Sequence, residues 1–410
     1  MTFTLPHDVS TLMAMPAAEL PIGVIGAGAM GAGIAQVAAV HGHPVVLADA
    51  QAAALERARA GHVAAMTRDV EKGRRTREDA DAVLARFTYV DGVTADALSH
   101  FAPCTMVIEA IVEQLAAKQT LFRALDAIVS PQAILASNTS SLSIAAIGSA
   151  CTRAERVVGV HFFNPAPIMP LVEIISAIST APEFATAALT LAHRWGKTTV
   201  RVTDTPGFLV NRVARPYYGE SLRMLEEGMA DVATIDWALT TIGGFRMGPF
   251  TLMDMIGNDV NFAVSCSVYE GTFHDPRYRP SVTQQRLVEA GWLGRKSGRG
   301  YYRYDAEAPA PAPVMNATLG QQIVDRVLAM LVNEAVTAHE LGIASRPHIE
   351  TAMTTGVNYP RGLLAWGDLI GAGEILHRLE RLQARYGDPR YRPSPRIAEI
   401  IAGQGTLLNG

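Results

Sequence analysis

The sequence predicts an α/β fold: a doubly wound, largely parallel sheet followed by two tandem all-α domains. Three observations predict it. Short, wholly apolar runs alternate with helical stretches up to about residue 203, the pattern of parallel strands buried on both faces. From residue 204 onward the texture becomes helix-dominated. The helical part then repeats itself: Gly228, Ile235, Gly248, Asp254 and Gly257 recur at one constant interval as Gly342, Ile349, Gly362, Asp368 and Gly371. The heptapeptide Asp275-Pro-Arg-Tyr-Arg-Pro-Ser281 recurs word for word as Asp388–Ser394. Such a repeat implies two copies of one helical domain.

Taken in order, residues 1–19 read as an irregular extension and 20–203 as the sheet domain. Its apolar strands are Ile22–Ile25, Val45–Asp49, Met106–Ala110, Ala133–Ser137, Val157–His161 and Leu171–Ile175, with helices over Ala32–His41, Ala52–Val70 and Glu113–Ile128. Residues 204–305 form the first helical copy, opened by a long helix over Phe208–Glu227. Residues 306–316, rich in alternating Ala and Pro, form an extended linker, because proline lacks the N–H that helices and central strands need. Residues 317–410 form the second copy. It shows no match to Gly294–Tyr301, and it carries Asp325 where the first has Asn211.

Composition excludes several classes of function. The 410 residues are 49% apolar and 18% charged with a net charge of −4, an ordinary globular balance without the basic excess that a nucleic-acid partner requires. Three scattered cysteines without a Cys-x-x-Cys argue against a disulfide framework or a zinc site and fit a reducing, cytoplasmic setting. The first basic side chain is Arg57, so a targeting leader is not expected. Leu20–Val40 is uncharged and long enough for a membrane span, but its glycines belong to a different motif.

That motif is Gly26-Ala-Gly28-Ala-Met30-Gly31, placed after a strand, opening a helix and preceding a strand that ends in Asp49. In this context the glycines give a tight turn, let the backbone approach a pyrophosphate and let helix pack on strand, the dinucleotide fingerprint of a Rossmann-type domain. Asp49 would hold ribose hydroxyls and repel a 2′-phosphate, so NAD is expected rather than NADP. His161 stands at a strand end, and a loop carrying Pro165, Pro167 and Pro170 can turn the chain back so that Glu173 lies beside it. An imidazole oriented by a carboxylate suits removal of a hydroxyl proton. Ser137–Ser141 supplies hydroxyls and amides at another strand end; the bland alternative is a helix cap. Arg68, Lys72, Arg74, Arg75 and Arg77 form a basic cluster. It is either a solvated face or a landing site for an anionic substrate handle such as nucleotide phosphates.

Together, Gly26–Gln36, Ala136-Ser-Asn-Thr-Ser-Ser-Leu142, His161-Phe-Phe-Asn-Pro-Ala-Pro167, Asp204-Thr-Pro-Gly-Phe-Leu-Val-Asn-Arg212 and Gly294–Tyr302 resemble the L-3-hydroxyacyl-CoA dehydrogenase family over about residues 20–305. The repeated tail resembles the bacterial branch with two C-terminal domains, which includes 3-hydroxyadipyl-CoA and 3-hydroxybutyryl-CoA dehydrogenases. The resemblance implies NAD-dependent oxidation of (3S)-3-hydroxyacyl-CoA to 3-oxoacyl-CoA, in fatty-acid or phenylacetate-type β-oxidation, by a homodimer. It implies His161 as base, Glu173 as its partner, and Ser140 and Asn211 at the substrate. It implies Gly26, Gly28, Met30, Gly31, Asp49, Glu113, Lys118, Ser140, Asn164 and Lys296 as NAD contacts and Lys72 as a CoA contact. Pro170 departs from the lysine the family often has there. Two rivals are a gulonate-type sugar-acid dehydrogenase and a non-catalytic, crystallin-like NAD-binding protein.

Overall fold

The computed structural model describes residues 9–12, 14–305 and 311–409. Residues 1–8 and 13 of the expected N-terminal extension, and residues 306–310 of the expected linker, therefore lie outside the described residues. The chain divides into two compact units, Met1–Asp204 and Thr205–Gly410.

The first unit is built on one eight-stranded sheet. Its strands are β1 (Ile22–Ile25), β2 (Val45–Asp49), β3 (Phe87–Asp91), β4 (Met106–Glu109), β5 (Ile134–Ser137), β6 (Val157–Phe162), β7 (Leu171–Ser176) and β8 (Thr198–Thr203). The order is β3-β2-β1-β4-β5-β6-β7-β8. The first six strands run parallel, β7 pairs antiparallel with β6, and β8 runs parallel to β7. Strands β1, β4, β5 and β6 are buried at every residue, which is why their sequences are continuous apolar runs. β3 and β8 went unread in the sequence for a physical reason. They are the two edges, half-exposed, and Thr88 or Arg201 interrupts any apolar run. The N-terminal segment corrects the expectation of an irregular extension: Val9–Leu12 is helical and Val9 is buried in the core of this unit.

The second unit holds both helical copies. Its opening corrects the expected long helix: Val210–Val213 and Arg215–Glu226 are separate helices. Pro216 explains the break, since it donates no backbone hydrogen bond and its ring crowds the carbonyl of Arg212. The equivalent helix of the second copy, Ala317–Glu340, lacks a proline and runs unbroken for 24 residues.

The repeated residues are the devices that hold each copy together. Asp236 accepts the Phe250 and Thr251 N–H groups at 2.9 and 3.0 Å, satisfying the start of helix Pro249–Ile256. Glu350 does the same for Leu364 and Ala365 at the start of Leu363–Ile370. A Cβ on Gly248 would lie 2.3 Å from Asp236, and one on Gly362 would lie 2.0 Å from Glu350, so both positions need glycine. Asp254 accepts the N–H groups of Tyr301 and Tyr302 at 3.0 and 2.9 Å, and Asp368 accepts those of Leu407 and Leu408 at 2.6 and 3.0 Å. The second copy thus rebuilds, with a shorter tail, the anchoring that the sequence comparison found missing.

The copies are also joined by exchanged ion pairs. Arg212 of the first donates to Glu334 of the second at 2.9 Å, and Arg326 of the second donates to Glu220 of the first at 2.8 Å. Arg212 and Arg326 are repeat equivalents, as are Glu220 and Glu334. Tyr278 donates its hydroxyl to Glu334 while its equivalent Tyr391 donates to Glu220. The repeated heptapeptide therefore survives because each copy uses it against the other's glutamate. This self-complementary exchange is the pattern of a two-fold interface built inside one chain.

Candidate active site

The sheet's order reverses direction between β1 and β4, and a ligand binds outside the carboxyl ends of strands at such a point. A cavity of about 740 Å³ lies there, lined among others by Gly26, Gly28, Asp49, Ile111 and Leu121. A Cβ on Gly31 would sit 1.7 Å from the Gly26 carbonyl oxygen, so only glycine lets the helix start against β1. A Cβ on Gly28 would meet nothing within 4 Å, which leaves open space over the N-terminus of helix Ala29–Val40 for an anion. Met30 lies in the first turn of that helix, packed against the core. Asp49 closes the far side, its carboxylate accepting the Ala27 N–H at 2.6 Å and the Gln51 N–H at 2.8 Å. Cavity, helix start and acid fit a dinucleotide.

Beyond β4 lies a buried polar cluster. Lys118, 1% exposed, places its ammonium 2.5 Å from Glu109 and 3.2 Å from Glu113. Glu113 also accepts the Thr139 hydroxyl at 2.6 Å, the Ser141 hydroxyl at 2.9 Å and the Ser140 N–H at 3.0 Å. Burial pushes the Glu113 carboxyl up, but the Lys118 charge and these hydroxyls outweigh it and hold the group below its ordinary range. The loop carrying Ser140 is thus clamped onto Glu113. It is also tied to β6, because Asn138 accepts the Phe162 N–H at 2.8 Å.

The turn after β6 brings His161 and Glu173 together. The two are directly opposed in the antiparallel β6–β7 register, which puts their side chains on the same face. His161 Nδ1 lies 2.7 Å from Glu173 Oε2. Glu173 is fully buried and His161 is 6% exposed, so the carboxylate needs the imidazole N–H to offset its desolvation. An ionised carboxylate only accepts, which assigns the proton to Nδ1 and makes Nε2 the basic nitrogen. The intervening loop is fixed by Lys197, whose ammonium donates to the Ala166 and Met169 carbonyls at 2.6 and 2.9 Å. Asn164, on the same loop, is exposed.

A second cavity of the first unit, about 780 Å³, is lined by Arg68, Lys72, Arg74, Arg75 and Lys197 together with Ile168 and Trp195. Asp69 is the acid within it and pairs with Arg74 and Arg75 at 3.4 and 3.7 Å. In the second unit, Asn211 is half-buried in the first short helix, and Lys296 is exposed and paired with Asp259 at 2.6 Å. The sequence reading missed Glu109, the bracing by Asn138 and the Lys197 strap. Glu109 did leave a signal, an acid ending an otherwise apolar strand. Lys197 left none, since its acceptors are backbone carbonyls.

Comparison with known proteins identifies the lineage of both units. Residues 21–205 match the NAD-binding domain of 3-hydroxyacyl-CoA dehydrogenase, and residues 207–304 and 323–404 each match its C-terminal domain. The chain is 40% identical to the 3-hydroxyadipyl-CoA dehydrogenase of Escherichia coli, covering 91% of this chain and 95% of that one. It is 42% identical to a probable 3-hydroxybutyryl-CoA dehydrogenase of Bacillus subtilis, covering 69% of this chain and 96% of the relative. The crystal structure of an Escherichia coli 3-hydroxybutyryl-CoA dehydrogenase superposes with a TM-score of 0.87 at 39% identity, over 93% of this chain and 98% of that one. A dinucleotide domain followed by two copies of one helical domain is thus matched along the chain, and the chain belongs to the NAD-binding 3-hydroxyacyl-CoA dehydrogenase family.

Proposed function

We propose that the chain catalyses the reversible oxidation of (3S)-3-hydroxyacyl-CoA to 3-oxoacyl-CoA. The buried His161–Glu173 pair carries the reading, because alcohol oxidation needs a base of near-neutral pKa held in one tautomer. His161 takes the hydroxyl proton on Nε2, and Glu173 stabilises the imidazolium that results. Ser140, on its clamped loop, and Asn211 orient the reacting oxygen. NAD, when bound, supplies the hydride acceptor. Gly26, Gly28, Met30, Gly31 and Asp49 hold its adenosine and pyrophosphate end, and Glu113, Lys118, Ser140, Asn164 and Lys296 are the remaining contacts.

The second cavity supports a CoA handle. Lys72 and Arg68 line it without an ion pair among the described residues, so phosphate would meet cations not already neutralised. The names of the relatives leave the acyl group between a four-carbon chain and a six-carbon dicarboxylic one, and the pathway between fatty-acid and phenylacetate-type β-oxidation. Among the described residues no helix is long and apolar enough to cross a membrane, which accords with work on a CoA thioester in the cytoplasm. The expected homodimer would have to use a face other than the one the two helical copies bury in each other.

The test is NADH consumption with acetoacetyl-CoA, compared with NAD reduction by free L-gulonate. Turnover of the thioester alone is the expected result. Turnover of gulonate alone would favour the sugar-acid reading, and none with any 3-oxoacyl-CoA would favour the crystallin-like one.

Asp49 gives a second test. Replacing it with asparagine is expected to weaken NADH binding at least about tenfold, since hydrogen bonds to a charged group contribute about 1.5–3 kcal/mol. NADPH binding should weaken less or improve as the repelling charge is removed. Fluorescence titration with both coenzymes checks this; equal losses for the two would leave Asp49 only its role of holding Ala27 and Gln51.

A further inference from the structure

Among the described residues six arginines are buried: Arg156, Arg212, Arg215, Arg223, Arg326 and Arg390. Five have a carboxylate within reach. Arg156 pairs with Asp126, Arg212 with Glu334, and Arg223, Arg326 and Arg390 with Glu220. Arg215, 6% exposed, has none within 4 Å among the described residues. Its Nε donates to the Asn211 carbonyl at 2.8 Å, and its Nη1 donates to the Ser265 hydroxyl at 3.1 Å and lies 3.5 Å from the Asn261 carbonyl. Its guanidinium lies over the Tyr218 ring, 4.8 Å from the centroid. These neutral contacts orient the fork and leave its charge uncompensated. A buried charge without a counter-ion is expensive, and replacing it with apolar side chains is often neutral or stabilising.

The second helical copy shows that the fold does not need this arrangement. At the repeat-equivalent positions Arg215, Tyr218, Asn261 and Ser265 become Ala329, Val332, Ile375 and Leu379, all fully buried. The same helices pack there through an ordinary apolar core. The structural arginine and glutamate, Arg212 and Glu220, are by contrast kept in the second copy as Arg326 and Glu334. What the second copy has lost is Arg215 with its surroundings, together with Asn211, which has become Asp325. Asp325 is spent on an ion pair with Arg378 at 3.0 Å. Arg215 and Asn211 are therefore present together or absent together.

We infer that Arg215 receives a second carboxylate, the one at the far end of a dicarboxylic acyl chain. The inference rests on the reading above, in which Asn211 orients the oxygen at C3. Arg215 lies four residues after Asn211 and folds back onto it, its Nε 2.8 Å from the Asn211 carbonyl. In an extended six-carbon chain the terminal carboxyl carbon lies about 4 Å beyond C3, within reach of a guanidinium held beside Asn211. The planar guanidinium suits a carboxylate in two-point contact. An uncharged acyl chain of the same length would leave the arginine unpaired.

The experiment compares kcat/KM for 3-oxoadipyl-CoA and 3-oxohexanoyl-CoA, equal in length and differing in the terminal charge, with NADH and the full chain. The wild-type protein should favour the dicarboxylic substrate about tenfold to a hundredfold, the range of a hydrogen-bonded charge. Arg215→Ala, which copies the second domain's own solution, should bring that ratio close to one without lowering the unfolding temperature. Arg215→Lys, should the alanine variant not fold, should retain part of the preference. A wild-type ratio near one, or a variant in which both substrates fall together at an unchanged ratio, overturns the inference while leaving the dehydrogenase reading intact. No NADH consumption with either thioester overturns that reading and the inference with it.

Discussion

Replacing His161 with glutamine is expected to lower kcat by about 10²–10⁴-fold, the usual contribution of a positioned general base. Glutamine is the informative substitution because its amide N–H can still donate to Glu173. The fully buried carboxylate keeps a partner, and folding survives. Alanine would take the imidazole N–H away from the buried Glu173, mixing a stability loss into the kinetic one. NADH binding should be unchanged in the glutamine variant, because the cavity built around Gly28 and Asp49 does not include His161. Glu173→Gln should also depress kcat, for another reason: a neutral amide can stabilise either imidazole tautomer and no longer favours the imidazolium. Stopped-flow rates with acetoacetyl-CoA, beside a coenzyme titration, check both. Near-normal turnover in His161→Gln would remove it as the base.

The pairing of His161 with Glu173 was legible in the sequence because everything between them is local. A strand end, a proline-bearing loop and a second apolar strand suffice to reverse the chain. The glycine turn and Asp49 were legible for the same reason, since one strand–helix–strand unit contains them. The edge strands β3 and β8 were not legible, because a half-exposed edge carries no continuous apolar run. Lys118 shows a different limit. The resemblance offers it as a coenzyme contact, and the structure shows it buried between Glu109 and Glu113. Its charge therefore acts first on the loop that carries Ser140, an effect that depends on helix Leu115–Asp126 packing against β5.

The repeat in the helical half was plain in the sequence, but its meaning was not. Equal spacing of Arg212 and Arg326, or of Glu220 and Glu334, fits a second copy that partners the first but does not say whether each pair closes within a copy or between copies. The structure shows the partners exchanged between copies. No pattern within one copy distinguishes these arrangements, because both place the same residues at the same spacing. The distinction matters for function. If the second copy serves the first as a structural counterpart, selection on it preserves the exchanged residues and releases those facing the substrate. Asp325 and Ala329 in place of Asn211 and Arg215 follow that rule under the roles proposed for Asn211 and Arg215.

Breaking one exchanged pair should therefore destabilise the helical unit more than most single changes. Glu334 is 2% exposed and receives Arg212 at 2.9 Å, Arg277 at 3.3 Å and the Tyr278 hydroxyl. Glu334→Ala leaves Arg212 buried without its counter-ion, a change that costs about 3–5 kcal/mol. For a unit of this size that corresponds to a fall in Tm of roughly 10 °C. Glu220→Ala should cost less, since Arg326 keeps Glu227 at 2.7 and 2.9 Å and Arg390 keeps Asp388 at 3.2 Å. The double substitution Arg212→Met with Glu334→Leu should cost much less than Glu334→Ala alone, because it removes both charges and fills their space with apolar groups. Calorimetry of the three variants beside the wild-type protein separates the possibilities. A change in Tm below about 2 °C for Glu334→Ala would mean that the helices, not the exchanged ions, hold the copies together. A double variant as unstable as the single one would assign the loss to packing rather than to the stranded charge.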